Sequence, residues 1–165
     1  MNLARFWKHI LMSPLQARRS FGPEVMEAIE REIGLQEKRH RGEIRFVVEA
    51  ELTTGQLWAD LTSRDRARQV FAEQGVWNTE ENTGVLIYIL LADRHVEIVA
   101  DRGITARVAE SEWQAICRIM DDHFRERRFE EGALAGIRAV SELLSRHFPA
   151  REANPDELPN RPILM

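Results

Sequence analysis

From Val85 to Ala92 eight apolar residues follow one another with no polar interruption. An apolar run of strand length without alternation describes a strand covered on both faces, as at the centre of an α/β sheet. Asp93-Arg94 breaks the run, and Val96, Ile98 and Ala100 then recur at every second position, which predicts an antiparallel hairpin. A two-residue polar turn would set Leu86 opposite Asp101 and Tyr88 opposite Val99. Upstream, Val25, Ile29 and Ile33 carry the apolar side of a helix predicted from Pro23 to about His40, closed by Gly42. Ile44, Phe46, Val48 and Ala50 alternate with Arg45, Val47, Glu49 and Glu51, so a first strand is predicted with one apolar and one partly polar face. Leu52 to Leu61 reads as loop. Thr62-Ser63 then caps a helix carrying Ala67, Val70 and Phe71 and ending at Gly75. Strand, helix and central strand make a parallel crossover, expected to be right-handed.

Beyond the hairpin, Ser111 with Gln114 three residues later reads as a capping box, ahead of Trp113, Ile116, Cys117, Met120 and Phe124 at helical steps. Leu134, Ile137, Val140, Leu144 and Phe148 repeat the spacing, giving a helical hairpin against the sheet. The fold class expected is α/β: a three-layer sandwich in which a small mixed sheet, parallel crossover plus β-hairpin, is flanked by helices. The organisation expected is an N-terminal amphipathic segment over 1–20, an α/β domain over 21–149 and a flexible Pro-rich tail over 150–165. In the first segment Leu3, Phe6, Trp7, Ile10 and Leu11 fall at helical spacing among Arg5, Lys8 and His9. Such a helix can pack on the domain, pack on a second copy, or lie on anionic lipid.

With 165 residues, 44% of them hydrophobic, the chain can bury one core. A net charge of -4 argues against a nucleic-acid partner, which needs a basic face. The single cysteine, Cys117, cannot form an internal disulfide and sits on an apolar stripe, as a buried thiol would. No apolar run reaches the roughly 18 to 20 residues of a membrane span, and Arg5, Lys8 and His9 break any signal-peptide core. A cytoplasmic protein is expected.

There is no glycine-rich phosphate loop, so no nucleotide cofactor is expected, and the five histidines are too scattered for a zinc motif. What remains is oxygen chemistry. Glu81, Asn82 and Asp101 would converge at one end of the sheet, a donor set suited to Ca²⁺ or Mg²⁺. The same residues also suit a structural role, Glu81 and Asn82 capping the loop and Asp101 satisfying the Arg102-Gly103 turn. At the opposite end Glu51 and Asp93 near Arg94 read as a surface ion pair.

The order Thr83-Gly84-Val85-Leu86, apolar strand, Ala92-Asp93-Arg94, Val96-Glu97-Ile98 and a turn at Gly103 resembles the core of the TPM domain, a former domain of unknown function later linked to phosphatase activity. Gly42-Glu43-Ile44-Arg45-Phe46-Val47-Val48 resembles that family's first strand, and Phe129-Glu130-Glu131-Gly132 with Gly136-Ile137 its last helical hairpin; together these span about Ala28 to Pro149. The resemblance implies a metal-binding or phosphatase-like site, but members with such a site usually carry an Asp-Asn pair where this chain has Asn82-Thr83. Better-known members are exported and anchored by a terminal helix, whereas this chain resembles a short branch without either feature. The function expected is a TPM-like binding or assembly module that holds Ca²⁺ or Mg²⁺ weakly at Glu81, Asn82 and Asp101. One alternative is a metal-assisted phosphatase. Another is a peripheral component of a membrane-associated complex, reaching a protein partner at the inner membrane face.

Overall fold

A computed structural model describes residues 3–152 and 154–165, without the side chain of Pro14. Met1 and Asn2 of the N-terminal segment and Ala153 of the tail lie outside the described residues. The described chain forms a four-stranded sheet in the order β3-β2-β1-β4. β1 (Glu43–Glu49) and β2 (Gly84–Leu90) run parallel, and β3 (His95–Ala100) returns antiparallel to β2. Every residue of β1 and β2 is buried. The architecture is therefore the α/β sandwich that the apolar run of β2 predicts, with a mixed sheet between helical layers.

One face is covered by α2 (Pro14–Ser20), α3 (Pro23–Gln36), α7 (Glu110–Arg125) and α8 (Phe129–His147), where Ile44, Phe46, Val48, Ile87 and Ile89 meet Ile33, Trp113, Met120, Ile137 and Leu144. The other face meets α5 (Ser63–Glu73) and a short helix α4 (Thr54–Trp58), which occupies the stretch expected to be loop. Thr53 creates α4: its Oγ1 accepts from Gln56 N, and Gln56 Oε1 accepts from Thr53 N at 2.8 Å. α7 starts two residues earlier than the Ser111 box implies, because Glu112 reaches back to accept from Ala109 N at 3.1 Å.

The hairpin register is shifted by two from the expected one. Leu86 faces Val99 and Tyr88 faces Glu97. Leu91 and Ala92 stay bound to the end of the neighbouring strand, Leu91 N donating to Glu49 O and Ala92 N to Ala50 O, each at 3.0 Å. The turn thereby widens to residues 91–94, with Arg94 at φ 53°. A shift of two preserves which face each side chain takes.

Residues 154–165 are not the loose tail expected from their prolines. Ile163–Leu164 form β4, parallel to β1, with Met165 N donating to Val48 O at 2.8 Å. The cause is polar. Glu43 and Arg45 are buried on a face where the tail supplies their partners, and a buried charge without a partner costs several kcal/mol. Arg45 Nη1 donates to Pro159 O and Arg161 O at 2.6 and 2.7 Å. Glu43 Oε2 accepts from Glu157 N and Leu158 N at 3.2 and 3.1 Å. Glu49 is met from the other side, by Arg66 Nε at 2.9 Å and by the Tyr88 hydroxyl at 2.5 Å.

Below the tail, Glu37 accepts from Ile44 N at 2.7 Å. Burial, against that hydrogen bond and helped by Glu43 and Asp156, pushes its carboxyl up to about 9. Burial likewise raises Glu43 to about 7. Both groups bind their proton more tightly folded than unfolded. Their contribution is thus complete below the ordinary carboxylate range and is lost as pH rises through about 7 and then about 9.

Two outcomes are expected. Truncation after Pro149 should lower Tm by more than about 4 °C, over about 1 kcal/mol for a domain of this size; an unchanged Tm would mean that the tail's contacts contribute nothing. Glu37→Gln, which keeps the acceptor for Ile44 N without the charge, should raise Tm more at pH 9 than at pH 5; parallel pH profiles for variant and parent would contradict a proton held on Glu37.

Candidate functional site

Asp101 lies directly after β3. Its N–H donates to Gly84 O at 2.9 Å, which fixes it beside the start of β2 despite the shifted register. Oδ1 accepts from Arg102 N at 2.7 Å and opens the short helix α6 (Arg102–Thr105), while Oδ2 is buried without a hydrogen-bond partner. Asn82 takes a left-handed backbone, φ 55°, and its Oδ1 accepts from Arg102 Nε at 2.9 Å. Gly103 is required by close approach: a Cβ there would stand 2.6 Å from Asn82 O and 2.7 Å from Glu81 O. Asn82 and Asp101 therefore do meet, around the Arg102-Gly103 turn.

Glu81 joins them only through its backbone. Its carboxylate is drawn away by two guanidinium groups, one oxygen held by Arg41 and the other by Arg151 at 2.8 Å. The donors facing the turn are one free carboxylate oxygen, one amide oxygen shared with Arg102, and main-chain carbonyls. That set fits a hard cation in kind, and it is poorer in charge than a tight Ca²⁺ loop.

A second group of acids gave no signal in the sequence. Oxygens of Glu37, Glu43 and Asp156 lie within 4.8 Å of one another. They come from the 3₁₀ turn Glu37–Arg39, the start of β1 and the returning tail. Long-range chain return brings them together, so no spacing could reveal them. Two of the three already accept main-chain N–H groups, and burial keeps those two protonated well above the usual carboxylate range. The group is accounted for as the clasp that seats the tail.

At the opposite end of the sheet Asp93 does not pair with Arg94. It receives α1 (Leu3–Leu11) instead. Arg5 Nε and Nη2 donate to Asp93 Oδ2 at 3.0 and 2.7 Å, and Arg5 Nη1 donates to Leu61 O at 2.8 Å. His9, 1% exposed, accepts from Leu52 N at Nδ1 (2.9 Å) and donates from Nε2 to Asp93 Oδ1 (3.1 Å). Burial pushes the Asp93 carboxyl up, but the hydrogen bonds from Arg5 and His9 outweigh it and hold the group below the usual carboxylate range. Burial pushes the Cys117 thiol up to about 12, which leaves it inert as a nucleophile at neutral pH.

The family model of the TPM domain matches residues 19–143. The NMR structure of the BA42 protein from the psychrophilic bacterium Bizionia argentinensis superposes with a TM-score of 0.73 at 30% identity, over 86% of this chain and 93% of that one. The solution structure of the N-terminal domain of a protein from P. gingivalis shares the fold, with a TM-score of 0.59 at 21% identity over 80% and 82% of the two chains. Among curated proteins no match is found. No described helix is long and apolar enough to cross a membrane. The matched span covers both the β2–β3 hairpin with its Asn82–Asp101 turn and most of the α7–α8 pair, and the chain belongs to the TPM domain family.

Proposed function

We propose that this chain is a TPM-domain binding and assembly module that sits peripherally on an anionic membrane surface through α1. The observation that carries the reading is the orientation of α1, which docks through Arg5, His9 and the partly buried Phe6 and leaves its other apolar residues outside. Arg5 and His9, one turn apart, hold Asp93, so the positions on the far side of the helix face water. Leu3, Trp7, Ile10 and Leu11 are 64%, 57%, 50% and 71% exposed. A contiguous apolar stripe on a surface marks an interaction site.

Charge favours lipid as the occupant over a second copy. Besides Arg5, which Asp93 already holds, Lys8, Arg18 and Arg19 precede Glu24, the first acid of a chain whose net charge is -4. An apolar stripe flanked by cations, on an otherwise acidic protein, suits an interface lined with anionic headgroups. Each stripe residue moved from water into hydrocarbon contributes roughly 1–3 kcal/mol.

Sedimentation with vesicles tests this. The protein should pellet with phosphatidylglycerol-containing vesicles, less so at high salt, and Leu11→Glu or Trp7→Glu should weaken pelleting by at least about tenfold without lowering Tm. Indifference to both anionic and neutral vesicles would contradict the reading. So would a dimer in solution that Leu11→Glu dissociates, since a second copy would then cover the stripe.

A second reading rests on the buried, unpartnered Oδ2 of Asp101. With Asn82 and the carbonyls of Glu81 and Asn82, it would hold Ca²⁺ or Mg²⁺ weakly, with affinity on the order of 10⁻⁴–10⁻³ M. Calorimetric titration should show this binding and its loss in Asp101→Asn, which retains a cap for Arg102 N. Unchanged binding in that variant would place the ion elsewhere. Metal-dependent phosphomonoester turnover lost in Asp101→Asn would replace a binding role with metal-assisted hydrolysis.

A further inference from the structure

At the C-terminal end of β2, beside the joint between α1 and α2, the structure opens into a cavity of 890 Å³. Its apolar wall is formed by Ile89 from the central strand, Leu91 from the turn that follows it, Met12 from the α1–α2 joint, and Phe124 and Phe129 from the ends of α7 and α8. The two phenyl rings are stacked, with centroids 5.6 Å apart at 28°. The polar side is cationic: Arg19, Arg94, Arg125 and Arg127 line it against a single acid, Asp121. Arg125 is paired with Asp122 at 2.7 Å. Arg19, Arg94 and Arg127 have no carboxylate partner among the described residues.

This composition is unusual for a surface hollow. The chain carries more acids than bases, 27 against 23, so unpaired arginines gathered over aromatic and aliphatic side chains are not what its composition would distribute at random. Arg94 and Arg127 each occupy a left-handed backbone, φ 53° and 61°, at the tips of the β2–β3 and α7–α8 turns. Non-glycine residues adopt that conformation at a cost. The volume falls within the roughly 300–1,000 Å³ of small-molecule pockets, and the position outside the carboxyl end of a parallel strand is where open α/β sheets bind ligands. Arginine forks recognise phosphate and carboxylate oxygens in pairs of hydrogen bonds.

We propose that this cavity binds an anionic amphiphile, an alkyl or acyl chain lying on Ile89, Leu91, Phe124 and Phe129 with its phosphate or carboxylate head held by Arg19, Arg94 and Arg127. The site is separate from the apolar stripe of α1 and does not depend on the membrane reading. The ligand can come from a bilayer or be a free amphiphile, because the same head and chain chemistry serves both.

Octyl phosphate, used below its micelle-forming concentration, is the probe. Titration by calorimetry or NMR should show saturable binding, with inorganic phosphate and octyl glucoside each weaker by about tenfold or more, since each retains only half of the recognition. The double variant Arg94→Gln/Arg127→Gln, both residues exposed, should lose at least about tenfold in affinity while keeping its Tm. Leu11→Glu should bind octyl phosphate as the parent does, which separates this site from the α1 stripe. If the double variant also pellets less with phosphatidylglycerol vesicles, the source is membrane lipid; if vesicle binding is unchanged, it is a free amphiphile. Failure of octyl phosphate to saturate, equal binding of octyl glucoside, or full affinity in the double variant would overturn the proposal.

Discussion

A parallel strand pair buried on both faces leaves no water for its polar groups, and that constraint organises the ends of this chain. β1 and β2 are fully covered, yet β1 carries Glu43, Arg45 and Glu49. A buried charge is tolerated only when it is paired or hydrogen-bonded. Glu49 is met by Arg66 and Tyr88 from within the domain. Arg45 and Glu43 are met by carbonyls and N–H groups of residues 157–161, which draws the C-terminal segment across the sheet and lets Ile163–Leu164 pair as β4. Asp93, at the end of the central strand, does the same for the N-terminus by gathering Arg5 and His9.

The second capture has a functional consequence. An amphipathic helix ordinarily docks by its apolar side. Here Asp93 is the anchor, so α1 turns Arg5 and His9 inward, with Phe6 packed beside them, and leaves Leu3, Trp7, Ile10 and Leu11 outside. The end of the sheet that holds α1 also carries Arg94, one residue beyond Asp93, on the rim of the arginine-lined cavity. The opposite end carries the Asn82–Asp101 turn. The exposed stripe of α1 and the arginine-lined cavity thus share one end of the domain, and the oxygen-donor turn has the other.

The central strand, the hairpin and the α7 and α8 stripes were legible because apolar periodicity encodes them directly, at Val85 to Ala92 and at Trp113, Ile116 and Met120. The hairpin register was not, because Leu91 and Ala92 are held by backbone bonds to β1 that no side-chain pattern announces. The docking of the tail is hidden for a related reason: its prolines and polar residues lack periodicity, but its backbone carbonyls are what Arg45 requires. At the candidate site, the expected hairpin register brings Asn82 and Asp101 to one end of the sheet, and they meet there although the register is two positions out. Glu81 was not separable from them, since its diversion depends on Arg41 and Arg151, forty and seventy residues away. The direction of α1 was equally hidden, for the heptad-like spacing of its apolar residues says which side they share and nothing about which side docks.

A spin label at position 11 reads the direction of α1 directly. Paramagnetic spectra of a Leu11→Cys chain, with Cys117 replaced by Ser, should show a mobile label in solution. On phosphatidylglycerol vesicles the label should become accessible to dissolved oxygen and shielded from a water-soluble nickel chelate. A label already immobile in free monomer, or one that stays open to the chelate on vesicles, would contradict the claim that α1 presents its apolar side outward for the membrane.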